Sequence, residues 1–183
     1  MRQYHQQLHE WVSLPEDRLN PHRVPQQLPV EDGTSRSVVC MWDGAVSANS
    51  HSTAGLILKD EGGNVLLAKG VFFPNIVDPL VAETLGLREG IQWCQALGIH
   101  QVRFEGDAKV LIEKVNAKDA RDGRVGAIIS EILSLLEVNG GFRVRFVGRN
   151  SNRVAHSMAR KALSLSQTSY RLYDLCLWVG SRI

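Results

Sequence analysis

The chain has 183 residues, 44% of them hydrophobic and 22% charged, and a formal net charge of +2. These values are typical of a globular protein with one domain and a sizeable core. The three cysteines are too few and too widely spaced for a disulfide framework or a zinc site, which favours a reducing compartment. No apolar run approaches the ~20 residues that cross a membrane, and the N-terminal residues lack the apolar segment of a secretory signal. We therefore expect an intracellular protein, nuclear or cytoplasmic, with no membrane partner.

The two ends of the chain lack a periodic apolar pattern. Four of the six prolines fall within residues 1–37, among Gln, His and Asn, and this composition predicts a poorly ordered linker or tail. Residues 166–183 are apolar but aperiodic, so that a short helix and a partner-binding segment both fit this C-terminal tail. The sequence therefore predicts one domain over residues 38–165.

A buried strand is predicted at the start of this domain, over residues 38–45. Five apolar or β-prone residues in succession precede Asp43, whereas a half-exposed strand would alternate between apolar and polar residues. Two further strand-like runs, residues 53–59 and 65–73, are separated by turn residues at 60–64 and predict a hairpin. Because no segment of helical length separates the three strands, we expect an antiparallel meander.

The rest of the domain combines helices with two more strands. Helices are predicted over residues 80–97, 107–116, 125–138 and from a turn at 148–151 to about residue 165, and strands over 101–106 and 142–147. The last strand alternates between apolar residues and arginines, as a half-exposed edge strand does. The predicted order of elements is βββαβααβα.

Three carboxylates occupy positions with both a structural and a functional explanation. Asp43 and the following Gly44 fit an ordinary turn, but an acid at the end of a rigid strand also fits a metal site. Glu83 lies on the apolar stripe of its helix, either as a first-turn acid favoured by the helix dipole or as a core-facing acid that needs a partner or a metal. Asp107 fits a helix N-cap. It also ends a strand, and if the two strands are parallel neighbours, Asp43 and Asp107 lie at the same edge of one sheet.

Basic residues concentrate in the last part of the domain. Residues 140–163 contain six Arg or Lys and no Asp or Glu. A solvated surface explains such a stretch, but charge of one sign beside a group of carboxylates also fits a protein that handles phosphodiesters. On the last helix, His156 shares a stripe with Asn152, and a lone histidine in such a position is usually a core residue.

These features together resemble the ribonuclease H family, in particular the reverse-transcriptase-like RNase H domains of plants and their retroelements. Asp43-Gly44-Ala45 resembles the Asp-Gly-Ala/Ser of the family's first strand, and Ala82-Glu83 resembles the Ala-Glu of its first helix. Glu105-Gly106-Asp107 resembles the (Glu)-Ser-Asp before its second helix. Residues 149–156, Arg-Asn-Ser-Asn-Arg-Val-Ala-His, resemble the Arg-x-x-Asn-x-x-Ala-Asp/His that opens its last helix. The resemblance covers residues 38–165.

The resemblance implies an α/β protein with the RNase H-like fold, a five-stranded mixed sheet flanked by helices with its first three strands antiparallel. It also implies two-metal hydrolysis of the RNA strand of an RNA–DNA hybrid, with Asp43, Glu83 and Asp107 as catalytic ligands of Mg²⁺, or of Mn²⁺ in its place. His156 takes the position of a fourth catalytic acid. The implied nucleic-acid-binding residues, which would contact phosphates and 2′-hydroxyls, are Arg145, Arg149, Asn152, Arg153 and Lys109.

Two departures from the family pattern leave a second function open. His156 brings no negative charge to a metal site, and residues 146–151 contain no counterpart of the His that many active relatives carry in this loop. The first hypothesis is a hybrid-cleaving endonuclease. The alternative is a domesticated, catalytically weak or inactive module that binds nucleic acid or protein. A resolvase-type nuclease of the same fold is disfavoured by the Asp-Gly-Ala and Arg-x-x-Asn motifs.

Overall fold

The computed structural model describes residues 37–48, 50–121 and 123–164, together with the backbone of residues 173–176. The predictions for the N-terminal segment before residue 37, and for the C-terminal tail other than residues 173–176, lie outside the described residues. Within the described part of the chain, no helix has both the length and the apolar character needed to cross a membrane.

The observed elements follow the predicted order, with one addition near the C-terminus. They are β1 (Val38–Val46), β2 (His51–Lys59), β3 (Val65–Pro74), α1 (Pro79–Ala96), β4 (Val102–Gly106), α2 (Lys109–Asn116), α3 (Gly123–Val138), β5 (Phe142–Phe146), α4 (Arg153–Ser164) and β6 (Tyr173–Cys176). The added element is β6, a strand at residues 173–176, where a short helix had been one of the two expectations. Its pairing with β3 is a non-local contact that an aperiodic sequence does not encode.

The strands form one mixed sheet in the order β5-β4-β1-β2-β3-β6. β1 pairs antiparallel with β2, and β2 pairs antiparallel with β3, which confirms the meander. β4 lies parallel to β1 on its other side, and β5 lies parallel to β4 at the edge. The predicted five-stranded mixed sheet is therefore confirmed, and β6 extends it beyond β3. Because β1 and β4 are parallel neighbours, their carboxyl ends lie at the same edge of the sheet.

Helices cover both faces of the central strands. On one face, α1, α2 and α3 pack over the side chains of Cys40 and Trp42 to form the larger core. On the other face, α4 packs against Val39, Met41 and Ile57. The buried run of β1 thus faces helices on both sides, which is why its sequence is continuously apolar rather than alternating.

Two glycines let helices approach the sheet closely beside the carboxyl end of β1. A Cβ on Gly44 would lie 2.9 Å from the backbone nitrogen of Glu83, so the first half of α1 rests directly on β1. A Cβ on Gly55 would collide with the carbonyl oxygen of Ala155, so α4 rests equally closely on β2. These contacts set the distance of Glu83 and of the α4 side chains from Asp43.

Candidate metal centre

Three acidic side chains from separate elements meet at the carboxyl ends of β1 and β4. Carboxylate oxygens of Asp43, Glu83 and Asp107 all lie within 4.8 Å of one another. The two strands bring Asp43 and Asp107 to the same edge, and the close packing of α1 at Gly44 adds Glu83. The structure thus brings together the three residues that the sequence singled out. We call them the acidic cluster.

Asp43 lies within a strand and not in a turn. It belongs to β1, pairs with Gly55 across the sheet, and is only 3% exposed. Desolvation by burial is the main reason that the pKa of Asp43 rises from 3.8 to about 6; Asp107 adds to the rise and His156 opposes it. The turn explanation of Asp43 therefore does not apply, and the carboxyl group is buried without a charge that fully compensates it.

Glu83 lies in the second turn of α1 and has no capping role. The N-cap is Asp78, whose Oδ1 accepts hydrogen bonds from the backbone nitrogens of Leu80, at 2.8 Å, and Val81, at 3.2 Å. Glu83 Oε2 is buried and has no hydrogen-bond partner among the described residues. Burial, followed by the negative charge of Asp43, raises the pKa of Glu83 from 4.5 to about 8, against a lowering hydrogen bond from the Gly44 backbone. The core-facing explanation thus holds, and the first-turn explanation does not.

Asp107 is likewise not a helix cap. The prediction began the second helix at Asp107, but α2 begins at Lys109, after Ala108 as its N-cap residue, and no side chain caps it. The side chain of Asp107 instead accepts a hydrogen bond from Asn152 Nδ2, with 2.7 Å between the nitrogen and Oδ1. A helix-capping carboxylate would bond to the backbone nitrogens of α2. Because Asp107 makes no such cap, its carboxylate is directed toward the acidic cluster.

Asn152 connects the acidic cluster to the backbone of β1. Its side chain is fully buried, and Nδ2 lies 2.8 Å from the carbonyl oxygen of Trp42, 2.7 Å from Asp107 Oδ1 and 3.5 Å from Asp43 Oδ1. An amide has two hydrogens to donate, so the two short contacts are its hydrogen bonds. The resemblance implied that Asn152 contacts nucleic acid, but in the structure its side chain is fully buried and bonds to protein atoms beneath the carboxylates. The sequence did carry a signal for this burial, because Asn152 shares a helical stripe with Ala155 and Ala159.

His156 contacts the acidic cluster from the same helix. Its Nδ1 lies 2.9 Å from Asp43 Oδ2, and the His156 side chain is 31% exposed. The core explanation of this histidine therefore does not apply, because the ring borders solvent on one side and a carboxylate on the other. Its position at the edge of the acidic cluster is the one that the resemblance implied, and its role in catalysis stays a prediction.

The predicted cationic residues lie on the surface around this site. Arg145, Arg149, Arg153 and Lys109 are all exposed. Arg149 is near enough to Glu83 to oppose the rise in the pKa of that carboxyl group. Lys109 makes a 3.7 Å ion pair with Glu113 on the solvent side of α2, and such exposed pairs contribute little. Within residues 37–48, 50–121 and 123–164, the three arginines form no ion pair, so their charges are available to an anionic ligand.

Comparison with known proteins identifies the family. The sequence profile described as reverse transcriptase-like matches residues 41–162, while no curated protein matches the chain. One similar solved structure is RNase H1 of the halophilic archaeon Halobacterium salinarum, 20% identical, with a TM-score of 0.60 over 71% of this chain and 99% of that one. Another is the N-terminal RNase H domain of a Mycobacterium tuberculosis protein, 21% identical, with a TM-score of 0.61 over 72% and 96%.

A third similar structure, LC11-RNase H1 in complex with an RNA/DNA hybrid, is 15% identical, with a TM-score of 0.65 over 71% of this chain and 99% of that one. At such low identity these structures establish the fold and not the activity. The profile match spans more than half of the 183 residues, and the sheet order, the helices and the acidic cluster agree with it. The chain therefore belongs to the reverse transcriptase-like family and has the RNase H-like fold.

Proposed function

We propose that this protein is a divalent-metal-dependent endonuclease that hydrolyses the RNA strand of RNA–DNA hybrids. The observation that supports it most directly is the meeting of Asp43, Glu83 and Asp107 within 4.8 Å at one edge of an RNase H-like sheet. A neighbour of the same fold was solved in complex with an RNA/DNA hybrid, which supports this substrate class. An intracellular location and an origin in a retroelement are further proposals that fit this activity.

The chemistry of the acidic cluster fits Mg²⁺ or Mn²⁺. All the donor atoms are carboxylate oxygens, which these hard cations prefer. The pKa values of Asp43 and Glu83 are raised, and Glu83 Oε2 has no partner among the described residues. A bound cation would offset the repulsion between the carboxylates and would give Glu83 Oε2 a partner. Asp43, Glu83 and Asp107 would hold the metal, and when bound it would supply Lewis-acid stabilisation of the phosphoryl group and activation of water.

The surrounding residues position the carboxylates and the substrate. Asn152 holds Asp107 by a 2.7 Å hydrogen bond and is anchored on β1, while His156 holds one oxygen of Asp43 at 2.9 Å. Such partners fix the orientation of a metal ligand and raise the affinity of the site. Outside the cluster, Arg149 and Arg153 are exposed and unpaired among the described residues, so they would bind backbone phosphates without reading base sequence.

The direct test is cleavage of a labelled RNA–DNA hybrid by the purified protein in Mg²⁺, in Mn²⁺ and in a chelator. Single-stranded RNA and duplex DNA of the same sequence serve as control substrates. We expect metal-dependent cuts in the RNA strand of the hybrid only. A protein that binds the hybrid but leaves it intact with both metals would refute the proposed activity.

The second candidate function is a module that binds nucleic acid without turnover. The observation that favours it is the 2.9 Å contact of His156 with Asp43, which engages an oxygen that a metal ligand would otherwise offer. The same assay separates the two candidates, because the binding module would retain hybrid affinity with no cleavage in either metal.

A change of His156 to Asp tests its place beside the metal. We expect the variant to bind Mn²⁺ more tightly and to change the preference between Mg²⁺ and Mn²⁺, because a carboxylate next to Asp43 adds negative charge to the site. The side chain is 31% exposed, so the melting temperature should change little. The measurements are a metal titration and a thermal unfolding curve, with His156→Asn as the uncharged control. A strongly destabilised variant with an unchanged metal response would show that His156 is a structural residue.

The raised pKa of Glu83 predicts how the metal-free protein responds to pH. Glu83 ionises near its ordinary pKa of 4.5 when unfolded and near 8 when folded. Between these values the folded state binds more protons than the unfolded state, so the free energy of unfolding falls as the pH rises. Glu83→Gln removes this loss, and the melting temperature of the variant should exceed that of the wild type at pH 8. The difference should shrink as the pH falls toward 4.5.

Thermal unfolding at a series of pH values in a chelator measures this effect. Glu137→Gln, at an exposed position near the end of α3, is the matched control and should follow the wild-type curve. The same loss of stability with pH in Glu83→Gln as in the wild type would contradict the prediction.

A further inference from the structure

Two of the six strands, β4 and β5, are left uncovered on one face of the sheet by the helix that packs there. α4 packs on β1, β2 and β3, and it leaves β4 and β5 open. Of the four residues of β4 and β5 on that face, Arg103, Arg143 and Arg145 are exposed and Glu105 is half-buried. The registers align Arg103 with Arg143 and Glu105 with Arg145. Side chains of residues paired in this way lie on the same face of the sheet, so the three arginines share one surface.

Lys59 of β2 belongs to the same surface. Val39 of β1 is aligned with both Lys59 and Arg103 and packs toward α4, which places all three on one face. We call Lys59, Arg103, Arg143 and Arg145 the basic sheet face. Asp43 lies on this face as well, since it alternates with Val39 and Met41 along β1 and contacts Asn152 and His156 of α4. The basic sheet face therefore starts beside the acidic cluster.

The charge of the basic sheet face is positive although the side chain of Glu105 lies between its cations. Glu105 makes a 2.7 Å hydrogen-bonded ion pair with Arg103 and is close enough to Lys59 to influence it electrostatically. Arg143 Nη1 donates to the carbonyl oxygens of Gly140 and Phe142, each at 2.7 Å. Arg145 has no partner among the described residues. A guanidinium has five hydrogens to donate, so the arginines keep donors for a ligand, and four cations outweigh Glu105.

The dimensions of this surface suit one nucleic-acid strand. With a rise of ~3.3 Å per residue, Arg145 lies ~7 Å and Arg143 ~13 Å along the sheet from the level of Asp107. Two strands at a spacing of ~4.8 Å give a strip about 10 Å wide beside the wall formed by α4. A B-form DNA duplex, whose major groove alone is about 12 Å wide, cannot place both backbones in that strip.

We propose that the basic sheet face binds a single-stranded extension of the nucleic acid whose hybrid portion occupies the acidic cluster. This inference rests on the proposed function, because it places the extension relative to a bound hybrid. The arginines bind the phosphates of the extension. Among the described residues, the basic sheet face has no aromatic ring on which bases could stack, so the binding has no base preference and depends steeply on salt.

The experiment compares the affinity of the full chain for a blunt hybrid and for the same hybrid with a ~10-nucleotide extension, within the range of site sizes that single strands occupy on binding domains. The extension is placed in turn at each end of each strand, and Ca²⁺ replaces Mg²⁺ so that binding is measured without turnover. The test variant is Arg143→Ala with Arg145→Ala. The control, Lys118→Ala with Arg124→Ala, removes the same charge at exposed positions between α2 and the first turn of α3.

We expect one of the extensions to raise the affinity of the wild type about tenfold at low salt, and the control variant to keep this gain. The Arg143/Arg145 variant should lose it, and its salt dependence on the extended hybrid should fall by about 0.7 in slope for each phosphate contact removed. The inference would be overturned if the wild type bound all blunt and extended hybrids with equal affinity. It would also be overturned if the Arg143/Arg145 variant kept the gain in affinity, or if the control variant lost it to the same extent. Parallel digestion of the blunt hybrid in Mg²⁺ keeps the two proposals apart: an uncut hybrid refutes the nuclease, and a cut hybrid without any extension effect refutes only this inference.

Discussion

Replacing Asp43 by Asn is expected to reduce hybrid cleavage by at least about a thousandfold while leaving the protein folded. Asp43 contacts both Asn152 and His156, and its carboxylate oxygen lies within 4.8 Å of those of the other two acids. It is therefore the most central of the three carboxylates that would bind the metal. Lewis-acid stabilisation is worth several kcal/mol, and about 1.36 kcal/mol corresponds to a factor of ten in rate. The amide keeps the shape of the carboxylate but not its charge. Single-turnover cleavage in Mg²⁺ measures the effect.

The control for this variant separates loss of chemistry from loss of structure. Asp119→Asn removes an acid that pairs with Arg121 in the turn between α2 and α3, and it should cleave like the wild type. The Asp43 variant should retain its melting temperature and its affinity for the hybrid, because the substitution removes a buried charge and no phosphate contact. Undiminished cleavage by Asp43→Asn would rule out the metal mechanism.

Replacing Asn152 by Ala is expected to weaken metal binding by about 10- to 100-fold, the usual effect of losing a group that orients a metal ligand. Asn152 is fully buried and bonds both Trp42 and Asp107. Its removal leaves the Trp42 carbonyl and a carboxylate oxygen without their donor, which costs ~1–3 kcal/mol of stability. Calorimetric titration with Mn²⁺ measures the first effect, and denaturant unfolding in a chelator measures the second.

A second asparagine provides the comparison for Asn152. Asn139→Ala removes a 2.7 Å hydrogen bond to the Leu135 carbonyl at the end of α3, so it also loses an amide donor. We expect it to be destabilised and to keep its metal affinity. If Asn152→Ala loses stability but binds Mn²⁺ like the wild type, Asn152 contributes to folding alone and does not position the carboxylates.

Much of the fold could be predicted because its signals are local. The continuous apolar run before Asp43 reflects a strand with helices on both faces, and the turn residues at 60–64 define the hairpin of β2 and β3. The arginines that alternate in β5 mark an edge strand, which β5 is. Each of these patterns depends on the period of one element and on its burial, both of which a single segment records.

The candidate acids could also be predicted, but their environment could not. In the sequence, Asp107 fits a helix cap as well as it fits a metal ligand. Asp43 likewise fits a turn as well as it fits a metal site. The structure decides between these explanations because α2 begins two residues after Asp107 and β1 continues through Asp43. The raised pKa values of Asp43 and Glu83 depend on burial and on charges that other elements bring near, and these are distances between segments.

By itself, then, the sequence determined the order of the elements, the antiparallel meander and the three acids, because periodicity and strand ends are properties of short segments. Only the tertiary structure decided that Asn152 lies beneath the acids, that His156 touches Asp43, that β6 joins the sheet and that β4 and β5 leave a basic face open. These features follow from strand register and from the close packing of α4 on Gly55. Both are contacts between residues far apart in the chain, whose formation depends on the fit of whole elements and not on any local pattern.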